Sequence, residues 1–180
     1  MDIRFAILGF LDWKPLSGYD LKKLIAKSDL FYWSGNNNQI YTSLIQLHKD
    51  DLVTLQVEYQ ESLPPRKIYS ITEKGQTEFR QWLLSSPELP EIQNNFLIQL
   101  AWADKLSDEE MDGLLARYEE EITIQLKMKK VQTLDPIDNP NRTKRERFLW
   151  QAIVENLTDA YQNELEWIQR TRKELREKSY

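Results

Sequence analysis

The chain has 180 residues, 41% of them hydrophobic, with six Trp and no Cys. That composition supports a packed core, and the lack of Cys excludes disulfides and thiolate metal sites and fits a cytoplasmic protein. The formal charge of −5 is unevenly spread: residues 1–86 hold 10 Lys+Arg against 10 Asp+Glu, and residues 87–180 hold 14 against 19. The acidic excess therefore lies wholly in the second half, and the first half remains open to a polyanionic partner.

The opening run Ile3–Leu11 lacks a basic flank and a small-residue cleavage pattern, and Asp12 and Lys14 interrupt it. It is read as a short apolar helix over 3–12 of a soluble, unprocessed chain. Proline at 15 closes it. No stretch approaches the roughly 18 apolar residues of a membrane span. Ser17 and Asp20 stand at capping-box spacing before Leu21, Leu24 and Ile25, which recur at helical intervals. A polar loop, Ser34-Gly35-Asn36-Asn37-Asn38, precedes a third helix from about Asn38 to Lys49. Ile40, Leu44 and Leu47 form its narrow core stripe; the opposite face carries Asn38, Thr42, Gln46 and Lys49, flanked by Gln39, Tyr41 and Ser43.

From Leu52 the period changes to two. Val53, Leu55, Val57 and Tyr59 alternate with Thr54, Gln56 and Glu58, the pattern of a half-buried strand. Residues 60–66 form a hairpin loop, Lys67–Ile71 a second strand, and Thr72 caps a helix running through Phe79, Trp82, Leu83 and Leu84. Three helices, a β-hairpin and a closing helix make a winged helix-turn-helix over residues 1–86.

Pro87 and Pro90 mark a boundary, and residues 87–180 read as helical throughout. Ile92, Phe96, Leu100 and Ala103 line one helix, and Ser107 and Glu110 box the start of a long one that Leu134–Pro140 breaks. Thr143 and Glu146 cap the last, whose stripe includes Leu149, Ile153, Leu157, Tyr161, Leu165 and Ile168. The two long helices each span about 40 to 50 Å at roughly 1.5 Å per residue. A stripe longer than a small domain's reach finds its partner in a second subunit, so those six residues are the expected dimerisation surface. The fold class is mainly α with a small β-hairpin and a C-terminal long-helix dimerisation arm.

Enzymatic chemistry finds no support. His48 is the sole histidine, too few for a common zinc site. The five Gly stand singly, without a phosphate-binding loop, and no Ser sits in a nucleophile elbow. Glu119-Glu120-Glu121 reads as a solvated helix face. No cofactor or metal is expected. Trp102, Trp150 and Trp167 either fill a core or dimer interface or line a small-molecule cavity.

The runs Ala6–Leu11 and Pro15–Leu21 resemble the opening of the PadR-type bacterial regulators. Gln39–Leu47 resembles that family's recognition helix, and Arg66–Gly75 its wing strand and the entry to its fourth helix. The helical remainder resembles the C-terminal region of the members that include virulence-gene activators. Thr42 and Asn36–Asn38 depart from the usual pattern, so no operator sequence is implied. The resemblance implies a cytoplasmic homodimer, more often a repressor than an activator, that binds double-stranded promoter DNA and often answers to a small-molecule effector.

On that reading Gln39, Thr42, Ser43 and Gln46 face base edges, since amides and hydroxyls pair with bases in the major groove. Asn38, Tyr41 and Lys49 are placed on phosphates, as are Lys22 and Lys23 on the preceding helix, and Arg66 and Lys67 at the wing reach the backbone or the minor groove. Tyr41 fits a packing role equally well. The competing reading is a protein–protein adaptor that keeps the winged helix as a scaffold.

Overall fold

Residues 3–27, 38–59, 65–90, 94–131 and 142–178 are described by the structure, a computed structural model. They fall into two units, Met1–Glu88 and Leu89–Tyr180. Ser34–Asn37, the hairpin loop 60–64, Ile92 and the break Leu134–Pro140 lie outside the described residues.

In the first unit, α1 (Ile3–Trp13) buries Ile3, Ile7, Leu8, Phe10 and Leu11, and packs on α3, α4 and β3. Next come β1 (Leu16–Ser17), α2 (Gly18–Lys27), α3 (Asn38–Lys49), β2 (Val53–Glu58), β3 (Arg66–Ile71) and α4 (Glu73–Leu84). The strands form one antiparallel sheet in the order β1-β3-β2, with Val53 opposite Ile71 and Glu58 opposite Arg66. The strand β1 has no counterpart in the sequence pattern. Two residues are too few to show alternation, and the pairing of Leu16 with Tyr69 and Ser17 with Ile68 is a tertiary event.

The helix ends follow local chemistry. Ser17 and Asp20 close their box: the Asp20 amide donates to Ser17 Oγ at 3.2 Å, and Asp20 Oδ2 accepts from the Ser17 amide at 3.2 Å and the Ser17 hydroxyl at 2.7 Å. Helix α3 ends in a Schellman motif. The Leu52 amide bonds the Leu47 carbonyl at 2.9 Å, the Asp51 amide bonds that of His48 at 3.2 Å, and Asp51 has φ 59°. Leu47 and Leu52, the apolar pair that accompanies this motif, are both buried.

That turn is locked onto α4. Thr72 donates its hydroxyl to the Asp51 carbonyl at 2.8 Å and accepts from the Gly75 amide at 3.0 Å, while Lys74 Nζ reaches the Asp50 carbonyl at 2.6 Å. Gly75 is obligatory here, because a Cβ would stand 2.2 Å from the Leu52 carbonyl oxygen. The expected half-buried face of β2 is only partly covered. Val53 is buried and Leu55 half-buried, but Val57 is exposed and Tyr59 is 86% exposed. The strand outruns the core and becomes the wing. Leu24 of α2 is half-buried.

In the second unit, the first helix is shorter than its apolar spacing suggests. Asn94 caps α5 (Asn95–Ala101) by accepting from the Phe96 amide, and a 3-10 turn, Ala103–Lys105, then buries Ala103. The Ser107–Glu110 box opens α6 (Asp108–Val131), and the Thr143–Glu146 box opens α7 (Lys144–Glu177). Their 24 and 34 residues correspond to about 36 and 51 Å. The two helices are antiparallel: Asp112 meets Arg172 and Arg176, and Lys129 lies over the Tyr161 ring.

The core of this unit is small. Phe96, Leu115 and Ile168 are its buried centre, with Leu100, Met111, Tyr118, Leu165 and Trp167 around them. Phe96 stacks on Tyr118 with centroids 3.6 Å apart and meets the edge of Trp167 at 6.2 Å. The Tyr118 hydroxyl donates to Glu164 at 2.7 Å and accepts from Asn94 at 3.0 Å. Burial, and then the bond to Glu164, push the Tyr118 pKa up to about 12.

An ionic ladder sets the helix register. Arg172 bonds both Asp112 and Glu119, and Arg176 shares Asp112. The bond from Arg176 leads in holding Asp112 below the usual aspartate range, and that from Gln169 leads for Glu119, with Arg172 assisting both. Ile168 is 0% exposed inside this core. It cannot line a face open to another chain, which corrects its place in the expected dimerisation stripe.

Candidate DNA interface

The exposed face of α3 collects most of the residues expected to meet DNA. Asn38, Gln39, Tyr41, Thr42, Gln46 and Lys49 are exposed, Ser43 is half-buried, and Ile40, Leu44 and Leu47 are buried behind them. The helix itself carries no carboxylate. Gln46 is engaged at its C-terminal end, donating to Asp50 Oδ1 at 2.8 Å. His48 Nδ1 lies 3.0 Å from the Val53 carbonyl, which can only accept, so that nitrogen carries the proton and ties the helix to β2.

The Tyr41 ring lies beside Gly18 at one edge while the residue stays 44% exposed. A Cβ on Gly18 would stand 2.7 Å from its ring, so glycine there is what lets α2 approach α3. Tyr41 also neighbours Tyr69, whose hydroxyl is pushed up by burial and then by Tyr41. On α2, Lys22 is half-buried and Lys23 exposed, its ammonium 4.5 Å from the Tyr19 ring centroid.

The two wing cations are not equivalent. Lys67 is exposed and stands opposite Val57 in the ladder. Arg66 stands opposite Glu58 and is ion-paired to Asp20 of α2. Burial alone would raise the Asp20 carboxyl, but the Ser17 hydroxyl and amide, joined by Arg66, outweigh it and hold it below the usual aspartate range. Sequence reasoning missed this pair, because its partners lie 46 positions apart and no local period links them.

In the second unit, Leu149 is 49% exposed and its neighbour Phe148 is 68% exposed. Ile153, Leu157, Tyr161 and Leu165 are half-buried. Of the three tryptophans, Trp102 is exposed, Trp150 lies under the Arg142 guanidinium at 4.8 Å, and Trp167 joins the core. A cavity of about 380 Å³ is lined by charged side chains, Glu119, Arg172, Lys173, Arg176 and Glu177, with Gln169. Among the described residues no group of three or more His, Asp or Glu could hold a metal ion, and no helix is long and apolar enough to cross a membrane.

Comparison with known proteins agrees with this architecture. Residues 7–81 match the model of the transcriptional regulator PadR-like family, and residues 92–176 match that of the virulence activator α C-terminal region. The negative transcriptional regulator PadR of Bacillus subtilis (strain 168) is 29% identical over 113 residues. That match covers 62% of this chain and 62% of the relative. The fold is shared with the crystal structure of Bacillus subtilis PadR in complex with operator DNA, with a TM-score of 0.83, 22% identity, and coverage of 96% of this chain and 98% of that one. It is shared also with Bacillus subtilis PadR in complex with p-coumaric acid, with a TM-score of 0.78, 21% identity, and coverage of 97% and 99%. Residues 7–81 thus form a domain of the transcriptional regulator PadR-like family, followed at 92–176 by a region of the virulence activator α C-terminal type.

Proposed function

We propose that this chain is a cytoplasmic, homodimeric repressor that binds promoter DNA and responds to a small-molecule effector. The observation that carries the reading is the exposed, carboxylate-free face of α3, followed directly by a wing. Gln39, Thr42, Ser43 and Gln46 read base edges from the major groove; Asn38, Lys49 and Lys67 contact phosphates, with Lys22 and Lys23 beside them. Residues 1–86 are the DNA-binding domain and 87–180 the dimerisation domain. Leu149, Ile153, Leu157, Tyr161 and Leu165, joined by Phe148, form the apolar stripe of α7 that meets the second copy. The operator complex and the p-coumaric acid complex of the Bacillus subtilis relative support a DNA partner and an aromatic acid as the first effector to try.

The test is fluorescence anisotropy of the purified protein on its own upstream region, across a salt series and against a scrambled competitor. Binding that survives the competitor and weakens steeply with salt is expected. Indifference to sequence, repeated on fragments selected from the genome, overturns the repressor and favours the adaptor.

A further inference from the structure

We propose that Arg66 is a positioning residue and not a DNA contact: with Asp20 it clamps the root of the wing to the first helix of the helix-turn-helix, leaving Lys67 as the phosphate-binding cation of that strand. This rests on the DNA-binding reading above and assigns the wing's two cations different work.

Three observations carry it. Arg66 begins β3, at the end of the strand nearest the hairpin loop, where the two-residue β1 no longer supports it, since β1 pairs only with Ile68 and Tyr69. There the Arg66 guanidinium leaves its own ribbon and bonds Asp20, in the first turn of α2. The carboxylate it meets is already oriented by the Ser17 hydroxyl and amide, so the partner is held in place before the wing docks. The clamp thus joins the wing to the helix that Gly18 seats against Tyr41 of α3.

The charges around Arg66 also disfavour phosphate. Asp20 is bonded to it, and Glu58 stands opposite it in the ladder. A phosphate approaching Arg66 must displace the carboxylate already bonded to it. Lys67 is one residue on, alternates to the other face of the strand, and has Val57 opposite it. The pair is part-exposed, Arg66 at 43% and Asp20 at 29%. It is therefore a weak contributor to global stability, and its effect lies in local order.

The experiment compares Arg66→Gln, Asp20→Asn, the double variant, Lys67→Ala and Ser17→Ala with the wild type. Amide hydrogen exchange of Arg66–Ile71 is followed without DNA, and operator affinity across a salt series with it. Exchange in the wing strand should quicken in Arg66→Gln and Asp20→Asn alike, and no further in the double variant. Ser17→Ala, which keeps the ion pair but removes one of the bonds that orient Asp20, should loosen α2 and quicken wing exchange less than either clamp variant does. Operator binding should weaken by about fivefold in each clamp variant with the salt slope intact, whereas Lys67→Ala should lower the slope by about one. A slope reduced by about one in Arg66→Gln, with Asp20→Asn binding as well as or better than wild type, overturns the assignment. So does wing exchange indifferent to both clamp variants. If the wild type binds no operator at all, the DNA reading fails while the exchange data still judge the clamp.

Discussion

The two units of this chain solve the problem of burying apolar surface in opposite ways. In the first, short elements of 2 to 12 residues enclose a common centre, and α1 alone buries five side chains. In the second, the 34 residues of α7 bury only Ile168. The first unit has its own inside, closed by caps and by the lock between Thr72, Asp51 and Gly75. The second is held by one antiparallel helix pair, a small aromatic core and an ionic ladder, and shows Phe148 and Leu149 to solvent. On the proposed reading, a protein that must present one rigid surface to DNA and another to a second subunit gains from this division. The reading surface is stiffened from within, and the arm keeps its apolar stripe for a partner.

The sharpest way to break this comparison is to truncate one leucine in each unit. Leu44→Ala, at a fully buried position, should cost about 3 kcal/mol in urea unfolding followed by Trp fluorescence. Leu149→Ala should cost the isolated chain less than about 0.5 kcal/mol while shifting light-scattering mass from dimer toward monomer. Equal losses from both would mean that α7 is buried within its own chain. Gly75→Ala comes next. Its Cβ would meet backbone, which cannot swing aside, so a loss of about 2 kcal/mol is expected. The wing amides should be the first to lose exchange protection.

For the second unit, Tyr118→Phe should cost about 1 kcal/mol at neutral pH by removing the bonds to Glu164 and Asn94. It also carries a pH signature. The folded pKa of about 12 lies above the ordinary tyrosine value of 10.0, so the contribution of Tyr118 is fully present below pH 10 and is lost as pH rises toward 12. Thermal melts of the wild type should fall across that window, and those of Tyr118→Phe should fall less. Parallel profiles would remove Tyr118 from the account. The smallest effect has the opposite sign. Asp51→Gly should stabilise the first unit by about 0.5 kcal/mol, because the φ of 59° at the end of α3 suits glycine better than aspartate. A lower urea midpoint would mean that Asp51 contributes more through its side chain than it loses through its backbone.

Much of the fold was legible where the determinant is local. The stripe Ile40, Leu44 and Leu47 is buried as its period implies, and the boxes at Ser17, Ser107 and Thr143 all form. A period shows which residues share a face, and a cap needs only three positions. The exposed face of α3 was readable for the same reason: once the core side is known, the opposite side follows.

What escaped the sequence has a common cause. The strand β1, the lock of Gly75 beneath Leu52 and the bridge from Arg66 to Asp20 all join segments far apart in the chain. Val57 and Tyr59 have the spacing of a buried face yet stand in solvent, because period says which side is apolar and only packing says how far the cover extends. Ile168 shares its stripe with Leu149, but α5 and α6 reach one and leave the other open. Local energetics, written in three to seven neighbouring residues, determined the elements and their ends. Tertiary contact decided which cation is paired, which glycine is obligatory and which apolar residues stay exposed, because those depend on what distant segments bring alongside.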